Sequence, residues 1–257
     1  MKDVVITCAG GSTRFSNSVN CPAHKSIYKA DGQTKCLLEW QIDTALSSEN
    51  VNKIIIVVGF QNTQVEDFIK SKYPNNERII TVNNEQWNTT GSNLSMCLGL
   101  LACKNTKADS ILCVEGDLYA SNFKVLIECP STSDFRSTTN GHSTIYSNVD
   151  VLGIISKTSS GFRTSFEYST DHSEFKSINF YNAVTIFPSG QMWEIATKKI
   201  DFDKVTKCAE MFPSKTNLEI LQHFSSSKSP MYPFELKDWV NCNTITELLE
   251  CTALWKK

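Results

Sequence analysis

The first stretch able to do chemistry is Ala9-Gly10-Gly11-Ser12-Thr13-Arg14, set directly behind the apolar run Val4-Val5-Ile6. A glycine turn at a helix start exposes backbone N–H groups to phosphate oxygens, and an arginine adds a permanent forked cation at the same place. The loop therefore suits a triphosphate. It is not a P-loop, because Gly-Lys-Ser/Thr is missing, nor a dinucleotide fingerprint, because GxGxxG and an acidic residue behind the second strand are both missing. Other candidates follow apolar segments in the same way: Thr89-Thr90-Gly91-Ser92, Glu115-Gly116-Asp117, and Asn243 behind Trp239-Val240. Ligands of open α/β sheets gather at the carboxyl ends of the strands, so these stretches are expected to meet.

The segments between them read as the elements that must do the positioning. VVIT is a strand, and LLEWQIDTALSS places Leu38, Ile42 and Leu46 on one helical face. KIIIVVGF is a fully buried strand, QVEDFIKSKY a helix, RIITVNN a strand, SNLSMCLGLLAC a helix and SILCVEGD a strand. This alternation specifies an α/β fold, a Rossmann-like and mostly parallel sheet with helices on both faces. Beyond Asp117 the pattern loosens through a polar stretch, 130–148. The strand-like VDVLGIISK, FRTSFEY and INFYNAVTIF then predict a small antiparallel substrate lobe. GQMWEIATKK and TNLEILQHF are predicted helices, PMYPFEL a strand and ITELLECTALW a C-terminal helix.

Hydrophobic residues make up 40% and charged residues 20% of the 257-residue chain, and the formal net charge is −2. No apolar run approaches the roughly 18 residues of a membrane span, and no lysine or arginine cluster provides the basic face that nucleic acid requires. Any phosphate bound is expected to belong to a small molecule. The ten cysteines are scattered without a CxxC pair, and Met1 leads into a strand rather than a signal peptide. Reduced thiols in a cytoplasmic protein, with the sequons at Asn88 and Asn93 unglycosylated, are the expectation.

Across its whole length the chain resembles the sugar-phosphate and choline-phosphate nucleotidyltransferases. Their first strand runs into A-G-x-G-[ST]-R-[LMF], matched here by Ala9 to Phe15. Their Pro-Lys, later glycine and Leu-rich helix correspond to Pro22, Lys25, Gly32 and LLEWQ, and VVGF, WNTTGSNLSM, EGD and DWVNCNTITEL continue in the family's order. The departures are Ser12 for a glycine, His24 and one extra residue between the proline and Lys25, and Asn243 for the usual aspartate.

The resemblance implies a single domain, 1–257, with a nucleotide-binding half, 1–120, and an acceptor-binding half, 121–257. It implies attack by an acceptor's phosphate or phosphonate oxygen on the α-phosphorus of a nucleoside triphosphate, with release of pyrophosphate. Arg14 and the amides of Ala9 to Thr13 would hold the leaving pyrophosphate, and Lys25 would bridge the α-phosphate and the acceptor. Asp117 and Asn243 would hold magnesium. Each has a plainer alternative: Lys25 as a surface lysine, Asp117 as a turn cap, and Asn243 or Thr244 as the cap of the helix near Ile245.

Base recognition is expected from Thr90, Gly91 and Ser92, with Glu115 nearby, while Ser95 either touches the nucleotide or caps the helix. The similarity is closest to small cytidylyltransferases, which favours CTP. For the acceptor, Asn179, Phe180, Tyr181 and Asn182 form an aromatic and amide segment, with Arg163 or Lys176 available to a carboxylate. Phosphocholine, an aminoalkyl phosphonate, a phospho-amino acid such as phosphoglutamine, and a sugar or polyol phosphate all stay open. Products of this kind feed surface polysaccharide or lipid decoration in the family. A monomer or homodimer is expected. Two other classes stay open, a glycosyltransferase using a nucleotide-sugar and a catalytically silent nucleotide-binding module.

Overall fold

A computed structural model describes residues 1–131, 135–139, 152–157, 163–169, 183–184, 192–226 and 231–255. The chain begins with β1 (Lys2–Thr7), α1 (Thr13–Ser18), α2 (Leu37–Leu46), β2 (Val51–Val58) and α3 (Asn62–Lys72). Next come β3 (Ile79–Asn83), α4 (Ser92–Ala102), β4 (Ser110–Glu115), β5 (Leu118–Tyr119) and α5 (Phe123–Glu128). After α5 the described strands are β6 (Phe135–Thr139), β7 (Leu152–Lys157), β8 (Arg163–Ser169), β9 (Ala183–Val184) and β10 (Met192–Ala196). The chain ends with α6 (Phe202–Met211), α7 (Leu218–Ser226), β11 (Met231–Glu235), β12 (Val240–Asn241) and α8 (Ile245–Trp255).

One sheet runs β3-β2-β1-β4-β10-β6-β11-β8-β7-β9. Strands β3, β2, β1 and β4 are parallel, so their carboxyl ends lie along one edge. β10 adds antiparallel to β4, and the later pairings are antiparallel except that of β6 with β11. The antiparallel part is thus a continuation of the parallel sheet. A separate short ladder joins β12 to β5, which brings the C-terminal region to the end of β4.

Period-2 alternation divides the sheet's side chains between two cores. Val5, Ile55, Val57, Ile111, Cys113 and Trp193 pack with residues of α4, α6 and α7 on one face. Val4, Ile6, Ile54, Ile56, Leu112 and Val114 pack with residues of α2, α3 and α5 on the other. The doubly covered parallel sheet agrees with the sequence reading.

GQMWEIATKK is a correction: Met192–Ala196 is a strand, paired with β4 over its whole length and fully buried. The reading as a helix fails because the partner strand, not local propensity, decides the conformation. Glu194 in that strand is tolerated because Lys2 Nζ, 3.3 Å away, neutralises it while Ser110 donates to its other oxygen. Among the described residues no helix is long and apolar enough to cross a membrane.

Candidate active site

The loop behind β1 is fastened to the neighbouring strand before it reaches its glycines. Cys8 N–H donates to Val57 O at 2.7 Å, and Phe60 N–H donates to Ala9 O at 3.0 Å. Gly59 permits this junction, since a Cβ there would stand 2.6 Å from Cβ of Trp87 and 2.8 Å from Ala9 O. Gly10 is exposed with open space around it, and the Trp87 ring packs against Gly11. Ser12 adopts the left-handed conformation, φ 50° and ψ 25°, as its carbonyl accepts from Ser16 N–H to begin α1. Thr13 and Arg14 face solvent.

Lys25 lies between α1 and α2, and it is brought to the sheet edge by hydrogen bonds on either side. Its own N–H donates to Ser12 Oγ at 3.3 Å, and Ser26 Oγ donates to Gly116 O at 2.9 Å. The neighbouring His24 imidazole is buried, and burial lowers its pKa to about 4. It is therefore neutral at ordinary pH.

The side chains then converge. The Lys25 ammonium pairs with the Asp117 carboxylate and also donates to Asn243 Oδ1 at 3.1 Å, while Arg14 Nη2 donates to the same Asn243 oxygen at 3.0 Å. Asn243 reaches this point because Cys242 N–H donates to Asp117 O at 2.7 Å, the continuation of the β5–β12 ladder. Capping of α8 falls to Thr244, whose Oγ1 accepts from Glu247 N–H, while Glu247 Oε2 accepts from Asn243 N–H at 2.7 Å. That leaves the Asn243 amide oxygen turned to the two cations.

Among the described residues no group of three or more histidines, cysteines or acidic residues could hold a metal. Magnesium does not need one, because it binds through one or two protein oxygens together with substrate phosphates and water. Asp117 and Asn243 already aim hard oxygens at one cation, the Lys25 ammonium, and so fit such an ion.

The Thr89–Ser92 segment is closed by residues that sequence reasoning missed. Gly91 N–H donates to Pro213 O at 2.8 Å, Asn93 N–H to Lys215 O at 3.1 Å, and Asn217 N–H to Ser92 Oγ at 2.9 Å. A Cβ on Gly91 would stand 2.1 Å from Lys215 O, so the close approach allowed by this glycine is to the 213–217 loop. Asn217 also donates to Glu115 Oε1 at 2.7 Å, which links this segment to the end of β4. Burial, with Asp117 adding to it, pushes the Glu115 carboxyl up to about 8. Thr90 Oγ1 donates to Gln86 O at 2.7 Å, and buried Ser95 accepts from Asn84 Nδ2 at 3.0 Å, inside the fold. Asn217 was hidden in sequence because it precedes α7, where an asparagine reads as an ordinary helix start.

Asn179, Phe180, Tyr181, Asn182 and Lys176 lie outside the described residues, and of Arg163 the structure describes only its place at the start of β8.

Residues 21–255 match the family model described as Domain of unknown function (DUF6564). The chain belongs to this family. Comparison with curated proteins by sequence finds no match. Solved structures share the fold of this DUF6564 chain. The inositol-1-phosphate CTP transferase from T. maritima superposes with a TM-score of 0.67 at 13% identity, over 100% of this chain and 97% of its own. The CTP:phosphocholine cytidylyltransferase LicC from Streptococcus pneumoniae gives 0.67 at 15% identity, covering 99% of each chain. A UDP-glucose pyrophosphorylase complexed with UDP-glucose gives 0.68 at 14% identity, over 100% of this chain and 98% of its own. The fold is that of the nucleotidyltransferases.

Proposed function

We propose that the chain is a nucleotidyltransferase that joins a nucleoside monophosphate to a small phosphorylated or phosphonate acceptor and releases pyrophosphate. The observation that carries this reading is the meeting of Arg14, Lys25, Asp117 and Asn243, from four separate segments, at the carboxyl end of a parallel sheet. Residues 1–120 form the nucleotide half and 121–257 the acceptor half of one domain.

In this reaction an acceptor oxygen forms a bond to the α-phosphorus as the bond from α-phosphorus to the pyrophosphate oxygen breaks, and no covalent enzyme intermediate is needed. Bringing two anions into line is the main difficulty, so charge neutralisation and orientation dominate. Arg14 and the amides of the Ala9–Thr13 loop hold the leaving pyrophosphate. Lys25 turns from Asp117 and Asn243 to the α-phosphate and the acceptor oxygen. Asp117 and Asn243 would hold magnesium, which supplies a Lewis acid at the α-phosphate.

CTP is the nucleotide we favour, supported by the likeness of the segment WNTTGSNLSM to that of small cytidylyltransferases. Two of the proteins that share the fold, a CTP transferase and a cytidylyltransferase, agree with that choice. The test is a pyrophosphate-release screen with magnesium, in which the four nucleoside triphosphates are each paired with phosphocholine, an aminoalkyl phosphonate, phosphoglutamine and sugar or polyol phosphates. Release only with CTP and one acceptor is the expected result. Release with no pair, together with hydrolysis of a UDP-sugar, would assign the site to a glycosyltransferase.

A further inference from the structure

The residue placed for the proposed chemistry with least help from regular structure is Lys25. No helix or strand lies between Ser18 and Leu37, yet the Lys25 ammonium must meet atoms from two distant segments. Something in this loop must fix its path to within an ångström or so. The hydroxyl of Ser12 takes the Lys25 N–H, Ser26 Oγ donates to the Gly116 carbonyl, and Ser16 Oγ bonds both the N–H and the carbonyl of Ala23.

His24 adds a buried contact that joins the end of β1 to the backbone on the far side of Lys25. Its Nε2 lies 2.8 Å from the carbonyl of Cys8, the residue just before the phosphate loop, and its Nδ1 lies 3.3 Å from Ser26 N. A carbonyl can only accept and an amide can only donate. The ring therefore carries its proton on Nε2 and accepts on Nδ1, a tautomer assigned from these partners. His24 is 3% exposed, and its ring lies 6.1 Å from that of Phe60 with an interplanar angle of 15°. The His24 carbonyl accepts from Ile27 N–H and Tyr28 N–H at 3.2 and 3.0 Å, so both its side chain and its backbone hold the turn.

We infer that His24 is a positioning residue for the proposed reaction: bonded to Cys8 O and Ser26 N–H, its imidazole fixes the backbone at Lys25 so that the ammonium reaches Asp117 and Asn243. The inference rests on the nucleotidyltransferase reading. His24 itself touches neither substrate. Its chemistry is that of a donor and an acceptor, separated by one ring and sealed from water, between the start of the phosphate loop and the lysine. Glutamine places an N–H where Nε2 stands, whereas asparagine reaches only the Nδ1 position, so the two amides separate the contacts.

The test compares the full chain with His24→Ala, His24→Asn and His24→Gln by two readouts. In the first, lysines of the ligand-free protein are acetylated with an activated ester and quantified by peptide mass spectrometry. Loss of the Cys8 contact in His24→Ala and His24→Asn should speed labelling of Lys25 by about fivefold, with His24→Gln near wild type and the other lysines unchanged. In the second, a displaced Lys25 should lower kcat of His24→Ala by roughly 10- to 100-fold while the calorimetric affinity for the triphosphate stays within about threefold. Lys25 labelling at the wild-type rate in His24→Ala overturns the inference. So does faster labelling of every lysine, which would make His24 an ordinary core residue, and so does an unchanged kcat. If the wild-type chain releases no pyrophosphate from any pair, the proposed function falls, and the labelling still decides whether His24 sets Lys25.

Discussion

Lys25 Nζ stands 3.1 Å from Asn243 Oδ1, although 218 residues of sequence separate them. A lysine held by an amide oxygen and the Asp117 carboxylate is a poised cation rather than a solvated one, and its removal should cost transition-state charge stabilisation. Lys25→Ala is expected to lower kcat by roughly 10²- to 10³-fold with little change in triphosphate affinity. Lys25→Arg should recover little, because a planar fork does not reproduce a compact ammonium. Steady-state pyrophosphate release decides, and turnover of Lys25→Ala near that of wild type would remove Lys25 from the mechanism.

Asn243 accepts from Arg14 and Lys25 at once, so its oxygen already serves positive charge. Replacing the amide by a carboxylate adds a negative ligand, and a charged ligand raises affinity for a hard cation. Asn243→Asp should reach half-maximal rate at several-fold lower magnesium, and Asn243→Ala should need more. A magnesium titration of both variants checks this, and an unchanged requirement in each would place the metal elsewhere.

Much of this site could be read from the chain because its parts follow strands that announce themselves. Val4 to Ile6, Ile54 to Val58 and Ile111 to Val114 are continuous apolar runs, the mark of strands covered on both faces, and the first and last of them lead into site segments. Long-range pairing was not legible. Met192–Ala196 looks helical until β4 is set beside it, and Glu194 belongs in a core only because Lys2 is there to meet it. Asn217 likewise gains meaning only once α7 docks against Ser92 and Glu115. The alternatives for Asn243 separate for the same reason, since Thr244 takes the cap and Cys242 anchors to Asp117.

Ser12 stands where the resembling family has glycine, and its φ of 50° explains why glycine suits the position. The hydroxyl gains a partner in Lys25 N–H. Ser12→Ala keeps the left-handed strain and loses that bond, so it should cost about 1 kcal/mol. Ser12→Gly loses the same bond but relieves strain worth roughly 1 kcal/mol, so its stability should stay close to wild type. Urea midpoints of wild type and both variants give the comparison: Ser12→Ala as stable as wild type would mean that the hydroxyl contributes nothing, and equal stabilities of the two variants would mean that the left-handed backbone stores no strain.

His24 should also make the fold acid-sensitive. Burial lowers its folded pKa to about 4, whereas the unfolded chain has the ordinary value of 6.5. The unfolded state therefore binds more protons between these values. The stability contributed by neutral His24 is complete above the upper one and is lost as pH falls toward and through the lower. Glu115 acts in the opposite sense, since its raised pKa favours the fold at low pH and loses that contribution as pH rises through about 8. The difference between wild type and His24→Gln isolates the histidine. Wild type should lose on the order of 1–3 kcal/mol more than the variant between about pH 7 and pH 4.5. Parallel urea curves at both pH values would show that His24 does not carry the acid response.

Two glycines give a paired test of which close approaches the fold requires. At Gly10 a Cβ meets nothing within 4 Å, while at Gly91 it would come within 2.7 Å of Ser214 O and closer still to Lys215 O. Both obstacles at Gly91 are backbone, and the same loop is tied to residues 91–93 by main-chain hydrogen bonds. Gly91→Ala should therefore destabilise the protein by roughly 1–3 kcal/mol and free the 213–217 loop for faster amide exchange. Gly10→Ala should leave stability within about 0.5 kcal/mol. Because Gly10 belongs to the loop assigned to the triphosphate, its variant should instead raise KM for the nucleotide. Denaturation midpoints and nucleotide KM, measured on both variants, separate a glycine kept for packing from one kept for its ligand. A Gly91→Ala protein as stable as wild type would mean that the 213–217 loop does not pack against Gly91.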